Sequence, residues 1–129
     1  MNIVQPGLVL KTENYPECRA FYRDTLGLPV VFEEDHGTWG LTCLTWGSAY
    51  LMVETGGAAV AGRKDVAQSP MKIRINLADL DAEVAALRAK GVSIEIAEHP
   101  WGRVAEICDP DGNVVALRED DPIYRGGHV

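Results

Sequence analysis

The sequence of 129 residues contains no apolar run as long as a transmembrane helix requires, and its first residues lack the charged leader and apolar core of a signal peptide. It is also poor in basic residues, with 12 Lys and Arg against 19 Asp and Glu and a formal net charge of −7. This deficit argues against nucleic-acid binding, because no basic face is available to neutralise phosphates. We therefore expect a cytoplasmic protein whose partners include neither a membrane nor a nucleic acid.

Cysteine is scarce, and the three that are present, Cys18, Cys43 and Cys108, lack the spacing of a metal site. Their odd number is explained most simply by a reduced chain. No serine or cysteine lies in a nucleophile motif. The sequence therefore offers no support for a disulfide framework, a cysteine metal site or nucleophilic catalysis.

What the sequence does contain is one structural unit written twice, over residues 13–54 and 79–119. Each copy has a helix that ends at a glycine, an extended run, a Trp-Gly pair and a last strand after a glycine turn. The Trp-Gly pairs are Trp39-Gly40 and Trp101-Gly102. Two copies of a unit that cannot bury its own apolar face will pair, and the groove between them is a natural ligand site.

Both helices have recognisable starting signals. Asn14 and Glu17 have the spacing of a capping box, and Asp79 or Asp81 caps the second helix. Apolar residues at helical spacing predict the buried face of each helix: Cys18, Phe21, Tyr22 and Leu26 in the first, Leu80, Val84 and Leu87 in the second. The Asp109–Gly112 segment predicts a tight turn before the last strand.

The element order predicts an α+β fold in which two βαβββ modules form a curved sheet around a cleft. We expect a single domain over residues 1–129. Its parts are a first module at about 1–55, a linker or mobile lid at 56–70, a second module at about 71–119 and a loose tail at 120–129.

This order, with FYRDTLGL in the first helix and DPDGN before the last strand, resembles the vicinal oxygen chelate superfamily. That superfamily includes glyoxalase I, extradiol dioxygenases, and fosfomycin- and bleomycin-resistance proteins. The resemblance covers nearly the whole chain and implies the glyoxalase/bleomycin-resistance fold and a homodimer. It says little about chemistry, because this fold hosts many activities.

In metal-dependent members of the superfamily, His, Glu or Gln side chains on the first and last strands of each module hold a divalent ion. Carried over to this sequence, those positions are Gly7, Lys72, Met52 (Leu51 with a one-residue slip) and Ala116. None of these residues is a good ligand for such an ion. The resemblance therefore implies a member without a metal or another cofactor.

The segment EHPWGRVAEICDPDGN looks like the bleomycin-resistance branch, whose dimers sequester a drug in a cleft without altering it. There, the Trp of this motif and an aromatic residue after the first helix stack on flat rings of the drug. Those positions correspond to Trp101 and Phe32. A third ring position falls on Gly37, with Trp39 two residues further on, and packing of the hairpin base is an equal explanation for Trp39.

Further candidates come from strand alternation. Tyr50, Met52 and Glu54 share one face of a strand, so that Glu54 faces a cationic ligand or pairs with Lys72 across the cleft. Arg103 binds a carboxylate, stacks on a ring or forms an ordinary surface ion pair. The expected ligand contacts are thus Trp101, Phe32, Trp39, Tyr50, Met52, Glu54, Lys72 and Arg103.

These observations predict a non-catalytic protein that sequesters a small planar molecule, such as an antibiotic, without a metal. The acidic balance is compatible with a cationic ligand. Two alternatives stay open: a metal-dependent lyase or dioxygenase with relocated ligands, and a metal-free enzyme that uses Glu54 or His99 for proton transfer.

Overall fold

The computed structural model describes residues 1–126, and the last three residues of the predicted tail lie outside this range. The first module contains β1 (Gly7–Thr12), α1 (Tyr15–Ala20), a π-helical turn (Phe21–Thr25), β2 (Val30–Asp35), β3 (Gly40–Trp46) and β4 (Ala49–Thr55). The second contains β5 (Ile73–Leu77), α2 (Leu80–Ala89), β6 (Ile96–His99), β7 (Gly102–Cys108), β8 (Val114–Glu119) and a 3₁₀ turn (Pro122–Arg125).

The strands form two four-stranded sheets, in the orders β1-β4-β3-β2 and β5-β8-β7-β6. In each sheet the first and last strands of the module pair in parallel, and β2 with β3 and β6 with β7 pair antiparallel. The α+β class and the two βαβββ modules predicted from the repeat are therefore confirmed.

The chain divides into two compact units whose boundaries differ from those of the two modules. The first unit comprises Met1–Lys64 together with the turn Cys108–Asn113, and the second comprises Asp65–Ile107 and the chain from Val114 onward. Part of the predicted linker is hydrogen-bonded inside the first unit: Val60 N donates to Asp111 O (3.1 Å) and Lys64 N to Gly112 O (2.9 Å). The domain bounds themselves stay a prediction.

The core of the first unit lies between α1 and one face of its sheet. Strand alternation places Leu51 and Val53 of β4 on this face, where both are fully buried. Cys18 and Tyr22, from the predicted apolar face of the helix, are also fully buried, whereas Phe21 and Leu26 are half-buried. After Ala20 the chain continues as a π-helical turn, which the spacing of the apolar residues did not predict.

The capping box predicted at the start of α1 is wrong. The side chain of Asn14 makes no capping bond. Its amide instead donates to Asp111 Oδ1 at 2.9 Å, far along the chain. The Asn14 side chain therefore bonds to a residue distant in sequence instead of making the bond to the backbone of the first helical turn that the spacing predicts.

The Asp109–Gly112 turn, as predicted, is a tight turn, closed by a bond from Gly112 N to Asp109 O (2.9 Å). Gly112 has φ +88°, and a Cβ there would lie 2.9 Å from the Val60 side chain, so glycine is required. Asp109 is buried and accepts from the Tyr22 hydroxyl at 2.7 Å. Burial and the neighbouring Asp109 carboxylate both raise the pKa of Tyr22, which keeps the hydroxyl a donor.

Asp111, the second carboxylate of this turn, is fully buried. Its oxygens accept from Glu13 N (2.9 Å), Asn14 N (3.2 Å) and the Asn14 amide (2.9 Å). Burial raises the pKa of Asp111, but these hydrogen bonds outweigh it and hold the pKa below its ordinary value. The charged carboxylate therefore fastens the β1–α1 connection to the turn.

The lowered pKa of Asp111 predicts a pH dependence of stability. A carboxyl group whose pKa is lower in the folded state stabilises the fold above its unfolded pKa of about 3.9, and this contribution is lost as pH falls through the folded pKa. We expect the free energy of unfolding to fall more steeply between about pH 5 and pH 2 in the wild type than in Asp111→Asn. Urea unfolding at several pH values measures this, and equal slopes in the two proteins would contradict it.

In the second unit, α2 has the predicted start and buried face. Asp79 Oδ1 accepts from Ala82 N at 3.0 Å, so Asp79 rather than Asp81 is the cap. Leu80, Val84 and Leu87 are buried. No helix within the described part of the chain is long and apolar enough to cross a membrane.

The prediction of a loose tail is wrong for residues 122–125. They form a 3₁₀ turn that begins at Asp121, whose Oδ1 accepts from Ile123 N at 3.0 Å. The Tyr124 hydroxyl accepts a hydrogen bond from Arg118, and Arg125 pairs with Asp120 at 2.7 Å. The sequence lacked periodicity here because these contacts are polar and local.

Candidate functional site

The sheet face of the first unit that lies opposite α1 carries a row of apolar side chains. The strand register pairs Val9 with Met52, Met52 with Cys43, and Cys43 with Phe32. Paired residues point to the same face, so this row crosses all four strands. Val9 and Phe32 are 46% and 44% exposed, so the row is open to solvent at both ends.

An apolar cavity of about 250 Å³ opens on this face. It is lined by Gln5, Val31, Phe32, Cys43, Tyr50 and Met52. Three of the predicted ligand contacts, Phe32, Tyr50 and Met52, are thus brought together by the fold. Aromatic and thioether side chains with few polar atoms suit a flat apolar ligand.

The Tyr50 ring covers the first strand at Gly7, its partner in the register. A Cβ on Gly7 would overlap the ring atoms of Tyr50, so only glycine leaves room for the ring in this position. The ring therefore occupies the place from which a side chain of β1 would otherwise project. One wall of the cavity is fixed by this contact.

The predicted ion pair between Glu54 and Lys72 is wrong. Glu54 pairs with Lys11, its register neighbour on β1, and its side chain is only 13% exposed. Lys72 pairs with Glu106 at 3.0 Å in the second unit. Glu54 thus pairs with its neighbour on the adjacent strand, and Lys72 pairs with a residue of β7 in its own unit.

Trp101 lies in the second unit and is 53% exposed, as the loop position predicted. The His99 ring stacks on it with centroids 4.5 Å apart and planes 5° apart. The Arg118 guanidinium lies 5.1 Å from the Trp101 ring centre and donates to the Trp101 carbonyl at 2.7 Å. This protein-made stack orients the indole, whose role as a ligand contact stays a prediction.

Trp39 repeats part of this arrangement in the first unit. The residue is 37% exposed, and the centre of its ring lies 5.2 Å from that of the His36 ring, with the two planes tilted by 31°. Trp39 does not line the cavity that contains Phe32 and Tyr50. Both explanations of Trp39, a ligand contact and packing at the base of the hairpin, stay predictions.

Arg103 forms the surface ion pairs that were one of its predicted alternatives. Its guanidinium makes two bonds to Asp81, both at 2.9 Å, and one to Glu98 at 2.9 Å. The hydrogen bond from Arg103 lowers the pKa of Asp81, which keeps the pair charged. These bonds use three of the guanidinium donors.

His99 and Glu106 line a separate cavity of about 250 Å³ in the second unit. His99 is already stacked on Trp101, and Glu106 is paired with Lys72. Both side chains thus already have a partner within the second unit.

The residues at the family's metal positions do not fit a divalent ion. Gly7 is covered by the Tyr50 ring, Leu51 is fully buried on the opposite face, and Ala116 is buried. Met52 offers only a thioether, a poor ligand for a hard ion. Within residues 1–126, no group of three or more His, Cys, Asp or Glu side chains is arranged to hold a metal ion.

Sequence reasoning missed several residues of the site. Cys43 and Val31 line the cavity, and Lys11 neutralises Glu54. Alternation along β3 does not show which face of the sheet Cys43 lies on. Its pairing with Met52 in the strand register places it on the face of the cavity. Val31 falls at a register irregularity between Val30 and Phe32, which no sequence signal marks.

With this geometry in place, comparison with known proteins assigns the family. A model of the Glyoxalase/Bleomycin resistance protein/Dioxygenase superfamily matches residues 6–117. The chain belongs to this superfamily. A relative from Bacillus subtilis (strain 168), the uncharacterized protein YraH, is 29% identical over 117 residues, which are 84% of this chain and 91% of the relative.

Solved structures share the fold at lower identity. SMU.1112c is 20% identical, with a TM-score of 0.72 over 92% of this chain and 99% of that one. TnmS3, an antibiotic binding protein from Streptomyces sp. CB03234, is 23% identical, with a TM-score of 0.65 over 94% of this chain and 99% of that one. A lactoylglutathione lyase from Agrobacterium tumefaciens is 20% identical, with a TM-score of 0.67 over 92% and 95%. Binding proteins and enzymes thus share this fold.

Proposed function

We propose that this protein binds and sequesters a small planar molecule of the antibiotic type, without a metal and without altering it. The observation that carries the proposal is the apolar cavity of about 250 Å³ in which Phe32, Tyr50 and Met52 converge. Burial of a flat ring there is favourable in proportion to the apolar area covered, and stacking adds about 0.5–1.5 kcal/mol.

The chemistry of the cavity favours binding over catalysis. Its lining contains no charged side chain, and its one thiol, Cys43, has a pKa raised by burial, which disfavours the nucleophilic thiolate. Glu54, the carboxylate nearest in sequence to Met52, is neutralised by Lys11. TnmS3, which shares the fold, is an antibiotic binding protein, and this supports the same class of ligand here.

The charge of the protein bears on the charge of the ligand. The net charge of −7 attracts cations over long range, whereas Lys11 compensates Glu54, the carboxylate nearest in sequence to Met52. We propose that a cation is attracted to the protein by this field and is held in the cavity by apolar contact. Added salt then weakens the long-range attraction of the ligand to the protein but leaves the apolar contacts in the cavity unchanged.

A panel of planar probes tests the proposal by isothermal titration calorimetry. Bleomycin, the cationic dye proflavine and the anionic anthraquinone-2-sulfonate are titrated at about 0.05 and 0.5 M salt. We expect saturable binding of proflavine that weakens with salt, weaker binding of the sulfonate, and recovery of unaltered ligand by mass spectrometry. No saturable binding of any probe, or chemical conversion of one, would refute it.

Elemental analysis of the dialysed protein tests the proposed metal independence. We expect substoichiometric Zn, Ni, Mn and Fe, and unchanged probe affinity after treatment with a chelator. One equivalent of a divalent metal, lost with a fall in affinity on chelation, would support the alternative of a metal-dependent lyase or dioxygenase.

We also propose a homodimer. All six residues of the edge strand β2 are exposed, including Val30, Val31 and Phe32. Only the first half of this strand is apolar, and such an exposed apolar edge is a surface that a second copy can cover. Sedimentation velocity measures the mass in solution.

A further inference from the structure

A second cavity in the first unit, of about 240 Å³, lies beside α1 and away from the apolar site. Its lining includes Tyr15 and Arg19 from α1, Glu13 before the helix, and Asp35 and Thr38 near the β2–β3 turn. It shares no lining residue with the cavity of Phe32 and Tyr50. Unlike that cavity, it carries charges of both signs.

The wall formed by Tyr15 is rigid. Its hydroxyl and Thr42 Oγ1 are 2.7 Å apart in a hydrogen bond, and Thr42 is fully buried. The Tyr15 ring lies against Gly40, where a Cβ would come within 2.7 Å of a ring carbon. This wall is therefore set by the packing of α1 on the sheet.

Arg19 is the cation of this cavity and lacks a carboxylate partner among residues 1–126. Its guanidinium lies 5.6 Å from the centre of the Tyr15 ring, and its Nε is buried without a hydrogen-bond acceptor. By contrast, Arg23, Arg103 and Arg125 each pair with a carboxylate. The buried Nε is closed to a ligand as well, but the two outer nitrogens of the guanidinium can donate to an anionic group in the cavity.

The two carboxylates of the cavity have acceptor capacity left. Glu13 Oε1 accepts from Ala59 N at 3.0 Å, and Asp35 Oδ1 accepts from Gly37 N at 3.0 Å. These backbone bonds hold both side chains in place while the second oxygen of each remains an acceptor for a cation. With Arg19, the titratable groups of the lining carry one positive and two negative charges.

We propose that this cavity is a binding site for a zwitterionic α-amino acid. The ligand carboxylate binds the Arg19 guanidinium, and the ligand ammonium binds Asp35 and Glu13. A simple anion is repelled by the two carboxylates, and a simple amine is repelled by Arg19, so both charges of the ligand are required. The site is independent of the sequestration proposed for the apolar cavity.

Titration of ¹⁵N-labelled protein with L-leucine tests the site, with the amide signals of Gly37 and Gly40 as the local probes. The matched analogues are isoamylamine, which lacks the carboxylate, and 4-methylpentanoate, which lacks the ammonium. We expect saturable shifts with leucine and at least about tenfold weaker binding of each analogue. Absence of a saturable shift with leucine, or equal affinity for an analogue, would overturn the proposal.

Variants separate the site from the general charge of the protein. Arg19→Gln is expected to weaken leucine binding at least about tenfold, whereas Arg23→Gln, which removes a paired arginine of the following turn, leaves it unchanged. Thermal melts by circular dichroism establish that both variants are folded. Equal leucine affinity in folded Arg19→Gln and the wild type would also overturn the proposal.

Discussion

Asp109→Ala is expected to lower the free energy of unfolding by about 3–5 kcal/mol. The Asp109 carboxylate, 4% exposed, accepts from the Tyr22 hydroxyl, from Asp111 N and Asn113 N, both at 2.9 Å, and from the Asn113 amide at 3.0 Å. Alanine removes all four acceptor contacts and leaves buried donors unsatisfied, which costs more than the bonds themselves contribute. Urea unfolding monitored by tryptophan fluorescence measures the change.

The matched control is Asp81→Ala, which also removes a carboxylate with two hydrogen bonds, both from Arg103. That pair is exposed to solvent, so its loss is expected to destabilise the protein far less than the loss of Asp109. Tyr22→Phe removes a single donor to Asp109 and is expected to lie between the two. If Asp109→Ala and Asp81→Ala destabilise equally, the turn does not have the structural role assigned to it.

Phe32→Ala is expected to weaken the binding of proflavine by about 10- to 100-fold. Phe32 is 44% exposed in the free protein, and a ligand in the apolar cavity would cover much of that area. Loss of this burial and of ring stacking together corresponds to about 1.4–2.8 kcal/mol. Calorimetric titration of each variant at one salt concentration gives the ratio of dissociation constants.

Phe32→Leu separates the two contributions, because leucine keeps most of the apolar area and removes the π-face. We expect it to weaken binding by about 3- to 10-fold. Phe21→Leu is the control, since Phe21 contacts the Tyr22 ring in the helical segment and does not line the cavity. Unchanged affinity in Phe32→Ala, or an equal loss in Phe21→Leu, would show that the ligand is held elsewhere.

Sequence patterns were sufficient for most elements because their signals are local. Leu80, Val84 and Leu87 recur at helical spacing and are buried in α2. The glycine-containing turn at Asp109–Gly112 has the bond that its sequence predicts. The first helix is the exception, since the amide of Asn14 found Asp111 across the fold instead of the backbone beside it.

The candidate site was only partly predictable, for a reason that concerns register. Alternation showed that Tyr50, Met52 and Glu54 share a face, but it did not show which strands lie on either side. The register brings Phe32 and Cys43 to Met52, and Lys11 to Glu54. In place of the expected Glu54–Lys72 pair, Glu54 pairs with its strand neighbour Lys11 and Lys72 pairs with Glu106 of β7.

By itself, the sequence determined the repeated module, its α+β class and the absence of good metal ligands at Gly7, Met52, Lys72 and Ala116, because each of these follows from residue identity and local spacing. The tertiary structure alone decided which side chains meet: the cavity between Phe32, Tyr50 and Met52, the pairing of Glu54 with Lys11, and the network of Asp109 and Asp111. Such contacts join residues far apart in the chain, and strand register and helix packing select among partners that local sequence leaves equivalent.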